Sequence, residues 1–369
     1  MNLFKIKTSE ILTYVNSSSN IVERKQTLPI LANLLFTIKD NVLSIKGFDQ
    51  EIQIHCQLKI KTDQEVRFTV PARKLNDILR NLPEDKDVHF SLIDGKVILK
   101  CSSSQFSLLT IDADEFPQLL DDESEDAQTV KLEKSKIKNI LQHVIFSMAN
   151  QDIRFYLNGL LLKVEQENIF FVSTDGHRLS YYNVIDNENN HAFSVIIPRK
   201  AILEIYKNID NSETKFIEIK YSKKFVSFTN ANIEIKSKII EGNFPDFTKV
   251  IPQENPIKIE IEREKLLKTL QRVSVLSNEK IRGIRLTFND NKLIVVCSNQ
   301  DRESAEETLD INYTFELLEI GFNVNYLLDA LSNINDERII ISLRDQNSSM
   351  LIEKKDNQHF KYVVMPMRI

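Results

Sequence analysis

The chain has 369 residues, 42% of them apolar and 27% charged, with a formal net charge of −5. That length suggests roughly two to four domains with cores of their own, and no apolar run approaches the roughly 18 residues a membrane span requires. Glycine is scarce, seven in all, and forms neither G-x-G-x-x-G nor G-x-x-x-x-G-K-[ST]; a tight phosphate cradle needs such glycines so that backbone N–H groups can approach the ligand.

The start, "MNLFKIKTSE", lacks the apolar stretch of a signal peptide, so the expected location is cytoplasmic. The helix-like segment "SEILTYV" follows, ending at Val15. Next come alternating strands with a polar turn between them, "NLLFTIKDNVLSIKGFD", ending at Asp49; this is the pattern of a β-hairpin. A second helix, "PARKLNDILRNL", starts at Pro71, and further strands lead to "EFP" at Pro117. The same order then returns. "KIKNILQHV" ends at Val144, "GLLLKVEQENIFFVSTD" at Asp175, "PRKAILEIYKNI" starts at Pro198, and "NFP" ends at Pro245. It returns once more, with "KLLKTLQRV" ending at Val273, "GIRLTFNDNKLIVVCSNQD" at Asp301, and "NVNYLLDALSNI" starting at Asn323.

The spacings are 129 and 129 for the first helix, 126 and 126 for the closing aspartates, and 127 and 125 for the second helix. So many anchors in step mark a threefold internal repeat. The second helices share an apolar face: Leu75, Ile78 and Leu79; Ile202, Ile205 and Tyr206; Leu327, Ala330 and Leu331. Their prolines are expected in the first helical turn, where a missing N–H has no partner to lose. The closing aspartates are expected to cap the turn at the end of each hairpin. The fold class is therefore α+β, with each repeat packing two helices on antiparallel sheet. The acidic run "DDESEDAQ" and the segment "IPQENP" serve as linkers, which gives domains 1–125, 126–253 and 254–369.

Cys56, Cys101 and Cys297 are far apart inside strand-like runs and are expected to be buried reduced thiols. No pair has metal-ligand spacing, so no metal is expected.

Four of the repeat helices are basic. They carry Arg73, Lys74 and Arg80; Lys134, Lys136 and Lys138; Arg199, Lys200 and Lys207; and Arg263, Lys265, Lys268 and Arg272. Against these thirteen stand Asp77, Glu133, Glu204 and Glu264. The other two helices add only Glu10 and Asp329. Lysine on an exposed helix face is ordinary, but the same excess in repeated units points to a surface that meets a polyanion.

Several motifs carry a resemblance: "LPILANLL", "NQDIRFYLNG", "STDGHRL", "NFPDF", "LSNEKIRGIRL", "IGFNVNYLLDAL" and the terminal "YVVMPMRI". Together, along the whole chain, they resemble the bacterial sliding clamps, the beta subunit of DNA polymerase III. The resemblance implies three DNA-clamp domains and a head-to-tail homodimer. Two chains would close a six-domain ring, its helices lining a hole around duplex DNA. A ring that holds DNA by topology needs no strong phosphate grip, and strong contacts would slow its sliding. The implied partners are duplex DNA, the replicative polymerase catalytic subunit, repair and translesion polymerases and a separate clamp loader. No membrane, no cofactor and no catalysis are implied.

By the same resemblance, "TDGHRL" belongs to a cleft for client peptides. The cleft would comprise Arg154, Tyr156, Leu157, Thr174, Gly176, His177, Arg178, Leu179, Pro245, Lys249, Val250, Ser349, Val363, Met365, Pro366, Met367 and Arg368. Its Leu, Val, Pro and Met content suits a deformable apolar pocket. Lys249, where the family often has Arg, and Ile369, where Leu is usual, depart from the pattern. DNA contacts are implied for Arg24 or Lys25, for Gln151, and for Arg73, Arg199 and Lys200. For ring closure, Phe106 and Leu108 would meet Val275 and Leu276 of the partner. Two other readings stay open: a hydrolase using His177 with Asp175, which lacks a nucleophile motif, and a repeat-built scaffold that never meets DNA.

Overall fold

The structure is a computed structural model that describes every residue except 24–27, 118–126, 188–190, 213, 356 and 369, together with the side chains of 357 and 358. The first repeat runs β1 (Asn2–Lys7), α1 (Thr8–Ser19), β2 (Asn33–Lys39), β3 (Val42–Phe48), β4 (Ile52–Lys59), β5 (Val66–Pro71), α2 (Ala72–Arg80), β6 (Asp87–Ile93), β7 (Lys96–Cys101) and β8 (Ser104–Leu109). The second runs β9 (Gln128–Glu133), α3 (Lys134–Val144), β10 (Gly159–Glu165), β11 (Asn168–Thr174), β12 (Arg178–Ile185), β13 (Ala192–Pro198), α4 (Arg199–Asn208), β14 (Phe216–Tyr221), β15 (Phe225–Asn230) and β16 (Ile233–Lys238). The third runs β17 (Ile257–Glu262), α5 (Arg263–Ser274), β18 (Gly283–Asn289), β19 (Lys292–Ser298), β20 (Ser304–Asp310), β21 (Leu318–Asn323), α6 (Val324–Asn333), β22 (Arg338–Leu343), β23 (Met350–Lys354) and β24 (Asn357–Val364). The order of strands and helices is the same three times.

Local chemistry accounts for the elements. Asp40 and Asn41 between β2 and β3, and Asp290 and Asn291 between β18 and β19, all have positive φ, the backbone that two-residue hairpins demand and that Asn and Asp tolerate. Leu75 and Leu79, Ile202 and Ile205, and Leu327 and Leu331 bury the inner stripe of the second helices. The prolines differ from expectation. Pro71 and Pro198 end β5 and β13, one place before the helices. Both are edge strands of their sheets, where a residue without an N–H costs no ladder bond. In the third repeat Asn323 caps α6 instead, its side chain accepting from the Asn325 N–H at 2.9 Å.

The chain forms two compact units. Met1–Lys138 with Lys200–Ile239 hold a four-stranded sheet, β1-β6-β7-β8, and an eight-stranded one, β5-β2-β3-β4-β16-β15-β14-β9. Phe4 and Phe90 stack at 4.6 Å, and Phe36 meets Phe68 at 5.2 Å, within this unit's core. Asn139–Arg199 with Ile240–Ile369 hold an eight-stranded sheet, β13-β10-β11-β12-β24-β23-β22-β17, and a four-stranded one, β20-β19-β18-β21.

Each eight-stranded sheet is two four-stranded sheets from successive repeats joined edge to edge. The joint is β4 against β16, with Ile54 opposite Ile235, in one unit. In the other it is β12 against β24, with Leu179 opposite Val363. The equivalent strands left over, β8 and β20, end their sheets without a further neighbour among the described residues.

Candidate functional site

The site grows from the turn between β11 and β12. Asp175 caps it: Oδ1 accepts from the N–H groups of His177 at 2.9 Å and Arg178 at 3.1 Å. Thr174 closes the other side, its Oγ1 accepting from the Gly176 N–H at 3.1 Å and donating to the Arg178 carbonyl at 2.6 Å. Gly176 has φ +89°, and a Cβ there would lie 2.9 Å from Nη1 of Arg154. Arg154 is fixed in turn. Its Nε and Nη2 donate to the two oxygens of Asp152 at 3.0 and 2.9 Å, and Nη2 also reaches the Asp175 carbonyl at 3.2 Å. Those guanidinium bonds pull the Asp152 carboxyl down to about 2.

Against this turn lies a cavity of about 100 Å³. Arg154, Tyr156, Leu157, Thr174, Gly176, Arg178, Leu179, Pro245, Val250, Val363 and Met365 line it, with Phe244 and Phe247. Leu157, Leu179, Phe247 and Val363 are buried. Phe247 packs with Phe170 and Tyr181 at centroid separations of 5.9 and 5.8 Å, so the floor is a rigid aromatic and aliphatic cluster. The chain's tail is held in place too, since Met365 donates to the His177 carbonyl and Met367 to the Gly321 carbonyl, both at 2.9 Å.

Not every expected cleft residue faces this cavity. His177 is exposed, its ring parallel to Tyr326 at 6.4 Å. Lys249 is exposed and pairs with Asp246 at 3.2 Å. The Ser349 carbonyl accepts from Asn255 at 3.2 Å. Pro366 and Met367 are half-buried and Arg368 is exposed beyond the cavity wall; Ile369 lies outside the described residues. Phe244, Phe247 and Asp152 were missed by the sequence reading. The first two stand inside the quoted "NFPDF", which could have flagged them. The hydrolase pairing finds no geometric support: Asp175 Oδ1 is occupied by the turn amides and Oδ2 by Nε of Arg178 at 2.9 Å.

The implied DNA residues divide. Arg24 and Lys25 lie outside the described residues. Gln151 is exposed, with φ +59°, on the loop before Asp152. Arg73 is exposed but donates to the Val22 carbonyl at 3.1 Å. Arg199 is half-buried, donating to the carbonyls of Ile145 and Met148 at 3.1 and 3.0 Å; burial lowers its pKa. Lys200 bridges Glu23 at 2.7 Å and Asp49 at 2.5 Å. The helices are thus less basic than their residue count, because carboxylates on distant strands and loops reach them. Arg272 meets Glu307 at 2.7 Å, and Lys138 meets Asp210. Of the expected closure residues, Phe106 and Leu108 lie on β8, whose outer edge has no neighbour among the described residues, while Val275, 78% exposed, and Leu276 follow α5.

The capping pattern corrects one alignment. Asp49 repeats the role of Asp175, its Oδ1 accepting from the N–H groups of Glu51 and Ile52 at 2.9 and 2.6 Å. In the third repeat the cap is Asn299, not Asp301. Asn299 Oδ1 accepts from the N–H groups of Asp301 and Glu303, each at 3.0 Å. Among the described residues no group of three or more His, Cys, Asp or Glu is placed to hold a metal, and no helix is long and apolar enough to cross a membrane. The three cysteines are free and buried, and burial pushes the Cys56 thiol up to about 12.

Comparison with known proteins agrees along the whole chain. Residues 1–120, 131–246 and 248–368 match the N-terminal, central and C-terminal domains of the DNA polymerase III beta subunit. The beta sliding clamp of Pseudomonas putida is 37% identical over 370 residues, covering 99% of this chain and 100% of that protein. That of Escherichia coli K12 is 35% identical over 367 residues, with the same coverage. Among solved structures, the DNA polymerase III subunit beta of Pseudomonas aeruginosa superposes with a TM-score of 0.94 at 35% identity, covering 100% of both chains. A Pseudomonas aeruginosa sliding clamp bound to griselimycin does so equally well. A Caulobacter crescentus clamp with PEG at a putative beta-motif tethering region superposes at 0.93 with 28% identity. With three family domains in order and a preformed apolar cavity beside a capped turn, the chain belongs to the DNA polymerase III beta-subunit family, the sliding clamps.

Proposed function

We propose that the chain acts as a sliding clamp: it encircles duplex DNA as a head-to-tail dimer and tethers client proteins through the cavity beside Gly176. It carries no catalysis of its own, as its family does not. The observation that carries the cleft is the apolar floor of Leu157, Leu179, Phe247 and Val363, already walled by a turn fixed on both sides. A preformed pocket saves a peptide the cost of ordering its receptor. The clients are the replicative polymerase catalytic subunit, repair and translesion polymerases and the clamp loader. Polar ends of their peptides meet His177, Arg154, Lys249 and Arg368 at the rim. Replacing Met365 and Met367 together by Ala is expected to weaken a labelled polymerase-derived peptide about tenfold while the dimer persists; unchanged affinity would remove the tail from the site.

The free strands support the dimer. Inside the chain, β4 joins β16 and β12 joins β24; joining β20 of one protomer to β8 of its partner would complete the series. Exposed Leu109 on β8 and Val275 beyond α5 supply apolar surface for that joint. Two different surfaces meet, and two copies close the contact. The domain limits are 1–125, 126–253 and 254–369. The DNA contacts are assigned to Gln151, Arg73 and either Arg24 or Lys25, with Arg199 and Lys200 contributing behind their internal contacts. Sedimentation at twice 42.9 kDa, and retention on nicked circular DNA that ends when the circle is cut, are the expected results. Equal retention on linear DNA would reject topological holding.

A further inference from the structure

The guanidinium of Arg178 is committed inward at all three nitrogens. Nε donates to Asp175 Oδ2 at 2.9 Å, Nη1 to Asp329 Oδ2 at 2.5 Å, and Nη2 to the Phe146 carbonyl at 2.6 Å. Its plane lies over the Tyr326 ring at 4.6 Å and the Phe146 ring at 5.7 Å. The side chain is only 10% exposed. Arg178 is therefore a strut, and its outer end rests on Asp329 of α6.

Asp329 itself does not line the cavity. Its own helix carries no basic residue, so the charge balance comes from Arg178. The backbone of α6 is pinned nearby by the Tyr362 hydroxyl, which donates to the Tyr326 carbonyl at 2.9 Å. The first unit shows the same device with the signs reversed: Lys200, from the second helix of the following repeat, reaches back to Asp49 in the equivalent turn. In both places a charge on that helix fixes a hairpin turn. A charge-assisted bond to a partly desolvated guanidinium is stronger than a neutral one and fixes direction as well.

We infer that Asp329 is a positioning residue for the peptide cleft: through Arg178 it holds the Thr174–Arg178 turn in the conformation that forms one cavity wall. This rests on the cleft reading above, so the test has two readouts. The first is the affinity of a labelled polymerase-derived peptide for the intact protein. The second, taken without peptide, is the backbone amide resonances of Gly176 and His177.

Asp329→Asn is expected to weaken the peptide about tenfold, within the range for coupling through packed networks. It should also shift both amide resonances with the thermal midpoint unchanged. Asp329→Glu should restore most of the affinity. In an Arg178→Lys background, Asp329→Asn should add nothing, since the two act as one unit. Wild-type affinity together with unmoved resonances in Asp329→Asn would overturn the inference. So would full additivity with Arg178→Lys, or a fall in thermal midpoint matching the loss of binding. Should the wild-type protein bind no peptide, the cleft reading fails, and the resonances alone decide whether Asp329 holds the turn.

Discussion

Two turns in this molecule occupy the same place in successive repeats and share a skeleton. In each, an aspartate accepts from two backbone amides at Oδ1 and from a cation at Oδ2: Asp49 from Lys200, Asp175 from Arg178. The next residue is left-handed in both, Gln50 at φ +78° and Gly176 at φ +89°. The first turn shows that the backbone shape by itself does not demand glycine. What distinguishes the second is the Arg154 guanidinium, 2.9 Å from where a Cβ would sit, so that a side chain there would push the arginine aside. The duplicated scaffold stayed the same, and the cavity came from what was laid against it.

The largest effect that separates the two turns is expected at Asp49. Its side chain is 4% exposed, and Asp49→Ala leaves two amides and part of the Lys200 charge unanswered, so urea unfolding should show a loss of about 2–3 kcal/mol. Gly176→Gln copies the first turn into the second. The fold should survive, as Gln50 shows, while displacement of Arg154 weakens a client peptide about tenfold; retained affinity would mean the guanidinium does not shape the wall. The reciprocal change, Gln50→Gly, relieves left-handed strain at a cost in chain entropy. Its unfolding free energy should stay within about 1 kcal/mol of the parent.

The smallest expected difference is in pH response. At the helix position where the first repeat has Tyr14, the second has His143, fully buried, with Nδ1 against the Asn139 carbonyl at 2.6 Å and Nε2 unpartnered among the described residues. Burial lowers its pKa, opposed by the Asn139 bond, and nearby Lys354 lowers it further while Asp336 raises it. The unfolded chain then takes up this proton first. Stability is therefore present above the ordinary histidine value and falls as pH drops below it. The thermal midpoint should decline between pH 7 and pH 5, and His143→Gln should flatten that decline.

The repeat was legible because each unit reuses local signals: alternation in strands, a 3.6-residue stripe in helices, and a polar hairpin turn, which is Asp-Asn in the first and third repeats and Gln166-Glu167 in the second. The joining of half-sheets was not, since Ile54 pairs with Ile235 across most of two repeats and nothing local marks such a partner. The third cap was misassigned because Asn299 and Asp301 both accept amide bonds equally well, and the repeat count favoured the aspartate. Many residues that line the cavity beside Gly176 were named through motif resemblance, but the contacts that support them were not. Asp329 looked like a stray acid on a helix, and only the fold brings it to Arg178. The basic helices were overcounted for the same reason, their carboxylate partners lying on remote segments.

The edge-to-edge seams inside the chain have a consequence for dilution. A seam whose two strands share one polypeptide works at a fixed effective concentration, set by the connecting chain and untouched by how much protein is present. The leftover borders at β8 and β20 have no such tether. In the proposed dimer, lowering protein concentration should release those borders while the internal seams stay shut, so the assembly would come apart into whole chains before any chain lost its own sheets.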